Sequence, residues 1–272
     1  VGSMAEALYG IPEYLINNAK TKIPNKFVYN VLSTCVIKWF LQPKYNVTYN
    51  IIDDINDCDG PCFLIYNHQS RIDYVWINQA TTPRPINFVV GYNEFFRSHL
   101  QFIFKLMNTI PKKNFNSDVV SIRGMNKIIK AGGVVCFSPE GMSSITGHNQ
   151  PVALGTGKLL KHYKIPVYCL KMKGAFLTNH KVCLDERKGR VDTTIYKLFT
   201  PEQLDTMTPD EIERKIDETV KAIELSFLLN VFFCVLKQNH HGFVWLQVLL
   251  HRYQEVFFSE FLTNFRFFHT SM

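Results

Sequence analysis

PCFLIYNHQSRIDYVWINQA, residues 61–80, is the stretch that decides the fold. PCFLIY, opened by a proline and rich in apolar and aromatic residues, predicts a short buried strand over Pro61 to Tyr66. Asn67 to Arg71 predicts a polar turn, and Ile72 to Ala80 opens a helix. This places His68 at a strand end, five positions before Asp73. Inside a regular helix a five-residue step turns about 140° away from the starting face, so the two side chains meet only if His68 lies in the turn before the helix. A histidine oriented by a carboxylate takes the proton from an attacking hydroxyl, which suggests acyl transfer from a thioester. The same spacing recurs at His180 and Asp185, among Lys181, Arg187, Lys188 and Gly189. No long apolar strand runs into that second pair, and it reads as solvated loop.

Outward from this unit, NVTYNII (46–52), PINFVV (85–90), GGVVCFS (132–138), IPVYCLKM (165–172) and RVDTTIYKLF (190–199) read as further strands, rich in β-branched and aromatic residues and bounded by Pro, Gly, Asn or Asp. Helices are predicted over Asn93 to Met107, Ser117 to Lys130, Val152 to Tyr163 and Pro209 to about Leu225. The last is opened by Thr208, with Pro209 at the first helical position and Glu211 at the third. The alternation predicts an α/β domain, a single mixed sheet flanked by helices.

A second strand end carries chemistry. VVCFSPEGMSSITG (134–147) sets Ser138, Pro139, Glu140 and Gly141 directly after an apolar strand. A Pro-Glu-Gly turn projects one carboxylate from a rigid backbone, and glycine tolerates positive φ or the close approach of a ligand.

The NHQSRID and FSPEG segments, in this order and both at strand ends, resemble two signature blocks of the glycerolipid acyltransferase family, the group that contains 1-acyl-glycerol-3-phosphate acyltransferases. The resemblance runs from about residue 25 to 225. MNTIPKKN (107–114) has the position and basic character of that family's phosphate-binding block, with Lys112 and Lys113 where an arginine is usual. IPVYCLKMKGAF (165–176) looks like its mostly apolar fourth block. One departure stands out: many members continue the Pro-Glu-Gly block with Thr-Arg-Ser, and this chain has Met142, Ser143 and Ser144. Arginine grips a phosphate with a planar fork and lysine offers a mobile point charge, so Lys112 or Lys113, with Arg123, is expected to carry more of the acceptor's charge.

The resemblance implies transfer of a fatty acyl group from acyl-CoA or acyl-carrier protein to the free hydroxyl of lysophosphatidic acid. His68 is then the general base and Asp73 its orienting carboxylate. Asn67, Ser70, Lys112, Lys113, Arg123, Ser138, Pro139, Glu140 and Gly141 form the substrate site, with Glu140 orienting the glycerol portion. Neither cofactor nor metal is expected. Ser70 as a covalent nucleophile is disfavoured, because it sits two residues from the histidine in the same tight turn. Competing readings are another acceptor (glycerol 3-phosphate or a lysophospholipid with a larger head group), a non-catalytic lipid-binding protein, and a metal-dependent hydrolase. The last needs a further His or carboxylate at ligand spacing, and none stands out.

Composition agrees with a lipid-surface enzyme. The 272 residues, 46% hydrophobic, suffice for a large core, and the formal charge of +7 suits anionic lipid, phosphorylated substrate or an acidic carrier. Nucleic acid is not expected as a partner, since no zinc-finger spacing, RNA-recognition motif or Arg-rich helix is present. Seven scattered cysteines give no paired framework and fit a reducing compartment.

Four regions are expected. Residues 1–3, Val-Gly-Ser, read as a cloning remnant. Residues 4–45 form an N-terminal helical segment in which FVYNVLSTCVIKWFL (27–41), about 15 residues long with Lys38 inside it, is too short to span a bilayer; it reads equally as a helix packed on the protein's own core and as one lying along a membrane surface, and the second is the expectation carried forward. Residues 46–225 are the acyltransferase domain. Residues 226–272 form an aromatic-rich tail holding ten of the 22 phenylalanines, to which no catalytic residue is assigned. Peripheral attachment to the cytoplasmic face of a membrane is the expected location.

Overall fold

The computed structural model describes residues 21–96, 98–113, 118–144, 147, 149–178 and 189–221. The expectations placed on His180 and Asp185 and on the aromatic tail lie outside these residues.

An N-terminal helix, α1 (Lys26–Val31), is capped by the Asn25 side chain, which accepts from the N–H groups of Phe27 and Val28. It continues over Leu32–Leu41 with the wider π winding. The strands follow as β1 (Asn46–Ile51), β2 (Cys62–Tyr66), β3 (Ile86–Gly91), β4 (Ile110–Lys112), β5 (Val134–Phe137), β6 (Val167–Lys173) and β7 (Arg190–Phe199). Among the described residues they make one mixed sheet in the order β1-β7-β6-β2-β5-β3-β4. Only the β6–β7 pair is antiparallel; β2 runs parallel to both β5 and β6, and β3 parallel to both β5 and β4. The carboxyl ends of β6, β2, β5, β3 and β4 therefore share one edge of the sheet.

Helices cover both faces, which is why the central strands read as unbroken apolar runs. Leu64, Tyr66, Tyr168, Leu170 and Met172 pack against Tyr29 and against Val75 and Trp76 of α2 (Asp73–Thr81). On the other face Phe63, Ile65, Val135, Phe137 and Cys169 pack against Met125 and Ile128 of α4 (Val119–Lys130), Leu160 of α5 (Thr156–Tyr163), and Ile212 and Ile216 of α8 (Pro209–Lys221). α5 and α8 approach so closely that a Cβ on Gly157 would lie 2.1 Å from the carbonyl oxygen of Pro209.

Six strands fall where the sequence puts them, and β4 is an addition. Ile110, Pro111 and Lys112 lie in the basic MNTIPKKN block, for which no strand was expected, yet they pair with Val89, Val90 and Gly91 at the rim of the sheet. An edge strand tolerates a proline because one side of it needs no donor. The helix expected over 93–107 divides into a 3-10 segment, Tyr92–Phe96, and α3 (Ser98–Leu106). The helix expected from Val152 begins only at Thr156, because Gly155 sits at φ 89° outside the helical region. Among the described residues, two short α-helices were not expected. α6 (Ala175–Thr178) is a single turn, and α7 (Pro201–Thr206) is held by a capping box between Thr200 and Gln203. α8 begins as anticipated: Thr208 N–H donates to Glu211 Oε2 at 2.7 Å, and Glu211 N–H donates to Thr208 Oγ1 at 3.3 Å.

Candidate active site

β2 ends at Tyr66, and the chain turns through Asn67–Ile72 before α2 starts at Asp73. This is the geometry that the five-residue spacing demands, and the two side chains meet: His68 Nδ1 lies 2.7 Å from Asp73 Oδ2. The aspartate is buried, at 2% exposure. It also accepts from Gln69 N–H on Oδ2 at 2.9 Å and from Ser70 N–H on Oδ1 at 2.9 Å. A carboxylate only accepts, so Nδ1 of His68 carries the hydrogen and Nε2 is left as the basic nitrogen. The imidazole side chain is 29% exposed, open enough to reach a substrate. Tyr66 sets its ring against the imidazole, with centroids 5.8 Å apart and planes inclined at 68°. Burial pushes the Asp73 carboxyl above its ordinary range; the hydrogen bonds from His68 and from the Ser70 and Gln69 amides pull the other way without cancelling it.

The segment after β5 grips the same turn from the far side. Glu140, 6% exposed, accepts the His68 N–H on Oε1 at 3.3 Å and the Gln150 N–H on Oε2 at 3.0 Å. The Ser144 N–H donates to the His68 carbonyl at 2.8 Å. Burial raises the Glu140 carboxyl to about 7, against the lowering effect of its two backbone hydrogen bonds. Gly141 follows at φ 73°, a left-handed conformation that a side chain would strain. Pro139 accepts the Ala153 N–H at 2.8 Å through its carbonyl, which anchors the turn to the loop before α5. Ser138 Oγ is buried without a hydrogen-bond partner among the described residues.

Eight of the eleven residues singled out in the sequence thus gather at the carboxyl ends of β2 and β5. Within that group Asn67 is buried and spends its amide on the neighbouring strand, donating to the Met172 carbonyl at 2.9 Å and accepting the Met172 N–H at 2.8 Å. Ser70 accepts the Ile72 N–H on Oγ at 3.3 Å. Lys112, Lys113 and Arg123 stand apart. Lys112 ends β4, the strand beyond β3 and β5 from β2. The Lys113 N–H donates to Asp118 Oδ2 at 3.0 Å, and its ammonium lies 5.7 Å from the centre of the Tyr92 ring. Arg123 is exposed on α4.

Other members of the site were not singled out. The Ser144 and Gln150 contributions are backbone amides, which leave no mark on residue type. Gln69 did carry a signal, an amide side chain between the two key residues: its Nε2 donates to Asn149 Oδ1 at 2.8 Å and so ties the turn to the loop after β5.

Three comparisons bear on this site. Residues 46–173, from β1 to the end of β6, match the family model described as Acyltransferase. The chloroplastic 1-acyl-sn-glycerol-3-phosphate acyltransferase of Brassica napus is 23% identical over 188 residues, which make up 67% of this chain and 53% of that relative. The chain thus spans about half the length of the curated relative it matches. In three dimensions it is similar to the 1-acyl-sn-glycerophosphate acyltransferase PlsC of Thermotoga maritima, with a TM-score of 0.57 and 16% identity over 72% of this chain and 77% of that one, a likeness of fold.

Proposed function

Residues 46–173 match the acyltransferase family, and from that premise we propose that the chain moves a fatty acyl group from acyl-CoA or acyl-carrier protein to the free hydroxyl of lysophosphatidic acid, giving phosphatidic acid. The observation that carries the proposal is the 2.7 Å contact between His68 Nδ1 and Asp73, which leaves Nε2 to act as base. The acceptor hydroxyl gives its proton to Nε2 as its oxygen bonds to the thioester carbonyl carbon. The resulting imidazolium is stabilised by the buried Asp73, and the proton leaves with the departing thiolate as the tetrahedral centre collapses. Lys112 and Lys113, with Arg123, supply positive charge for the acceptor's phosphate.

The names of the two relatives, both 1-acyl-glycerol-3-phosphate acyltransferases, support this acceptor over glycerol 3-phosphate or a larger lysophospholipid. The test is thiol release from acyl-CoA, and in parallel from an acyl-carrier-protein thioester, with and without lysophosphatidic acid. Wild type is expected to release thiol only with acceptor present, and His68→Ala to lose at least about 100-fold in rate. Acceptor-dependent release that survives in the variant would remove His68 from the mechanism.

We further propose peripheral attachment to the cytoplasmic face of a membrane through residues 26–41. Among the described residues no helix is long and apolar enough to cross a bilayer. Phe27 and Trp39 are nevertheless 76% and 63% exposed, with Lys26, Lys38 and Lys44 around them. Flotation with anionic vesicles is expected to carry the protein, and replacing Phe27 and Trp39 by Ser to leave it in the soluble fraction.

A further inference from the structure

Glu140 neither gives nor takes a proton in the mechanism above, and both of its oxygens already face backbone donors. We propose that Glu140 is the positioning residue of the catalytic histidine: its ionised carboxylate bridges the N–H groups of His68 and Gln150, and this bridge holds the turn so that the imidazole meets Asp73. The proposal rests on the reading of His68 as the general base.

The geometry is a two-sided clamp on one residue. The His68 N–H is taken by Glu140 Oε1 at 3.3 Å, and the His68 carbonyl by the Ser144 N–H at 2.8 Å, so both of its backbone polar groups are fixed by a single five-residue stretch. That stretch is itself anchored, by Gly141 N–H to the Ser138 carbonyl at 3.2 Å and by Ala153 N–H to the Pro139 carbonyl at 2.8 Å. Glu140 Oε2 reaches on to Gln150 at 3.0 Å, joining the His68 turn to the loop that leads into α5. A glutamate buried to this degree and committed to two main-chain donors orients protein first.

The charge state decides whether the clamp forms. A carboxylate offers acceptors to both N–H groups, whereas a carboxylic acid must direct one O–H outward, and an O–H facing an N–H repels it. Among the described residues, the titratable groups facing Glu140 are His68 and Asp73 from the β2–α2 turn and the Tyr66 phenol from β2. With the carboxyl lifted by burial to about 7, the bridge assembles as pH rises through neutrality. Turnover then needs Glu140 ionised, and the rate falls on the acid side as its carboxylate takes up a proton.

The experiment compares wild type with Glu140→Gln in the full chain, with two readouts. In acceptor-dependent thiol release, Gln is expected to lower kcat about 10- to 100-fold, to leave the acceptor KM within about twofold, and to remove the part of the acid-side fall in rate that the Glu140 carboxylate imposes. Retained kcat with a raised acceptor KM would overturn the proposal and make Glu140 a direct acceptor ligand. The second readout is the backbone amide shifts of His68 and Gln150 by NMR, which need no substrate. Both amides are expected to titrate together in wild type with a midpoint at about 7 and to lose that titration in Glu140→Gln. Amides that ignore pH in wild type would overturn the bridge. If wild type turns over no acceptor at all, the acyl-transfer reading falls, and the amide titration decides the bridge alone.

Discussion

At the residue scale, the site sets two buried carboxylates around one imidazole. Asp73 is used on three donors and Glu140 on two. The raised Glu140 carboxyl makes stability depend on pH in a stated direction. Between the ordinary 4.5 and the folded value of about 7, the folded chain holds a proton that the unfolded chain has lost. Its stabilising contribution is therefore fully present below 4.5, declines as pH climbs, and is gone above 7. At about 1.4 kcal/mol per unit the loss is about 3 kcal/mol. Glu140→Gln has nothing to titrate there, so the unfolding free energy of wild type relative to the variant is expected to fall by about that amount between roughly pH 5 and pH 8, measured by urea denaturation. A difference that stays flat would mean that Glu140 is already ionised throughout. His68, Asp73 and Glu140 were legible in the sequence because each contributes a side chain of distinctive chemistry, after a strand end or at the first turn of the helix that follows. The Ser144 and Gln150 amides were illegible for the opposite reason, since every residue but proline has one.

At the element scale, Asn67 shows how a strand is prolonged past its last backbone rung. β2 and β6 pair in parallel up to Tyr66 and Leu170, and then the Asn67 amide takes the place of a peptide group and bonds both the N–H and the carbonyl of Met172. The sequence marks Asn67 as part of the site but cannot tell an amide that holds a neighbouring strand from one that holds a substrate. Asn67→Ala leaves both Met172 groups buried and unpaired, and a loss of about 2 to 3 kcal/mol is expected in urea denaturation. A loss below about 0.5 kcal/mol would mean that Asn67 faces the substrate and not the strand. The strands were legible because burial on both faces writes itself as β-branched and aromatic runs. What was lost were elements decided by context: β4 hides behind Pro111, and the start of α5 is set by the left-handed Gly155. The capping box of α7 was there to be read, in Thr200 and Gln203.

At the scale of the whole molecule, strand order converts into a distance along the reactive edge. From β2, which delivers His68, to β4, which delivers Lys112, the sheet counts three steps through β5 and β3. At about 4.8 Å a step that is roughly 14 Å. An extended lysine side chain covers roughly 6 Å of it, and a hydrogen bond to a phosphate oxygen about 3 Å. The remaining 5 Å or so is the span of four bonds of ordinary length, which is what separates the free hydroxyl of a lysophosphatidic acid from its phosphorus. For the acceptor proposed above, a lysine at the end of β4 and a base at the end of β2 leave room for a glycerol phosphate laid along the edge across β5 and β3. On this arithmetic the Lys112→Ala, Lys113→Ala double variant is expected to raise the KM for lysophosphatidic acid about tenfold or more, at little cost in kcat. An acceptor with the same acyl chain and glycerol but no phosphate should be used equally by variant and wild type. If the phosphate-free acceptor suffers as much as lysophosphatidic acid, the two lysines are not reading the phosphate. If instead only the KM for acyl-CoA rises, they serve the donor, and the acceptor's phosphate is held nearer to His68.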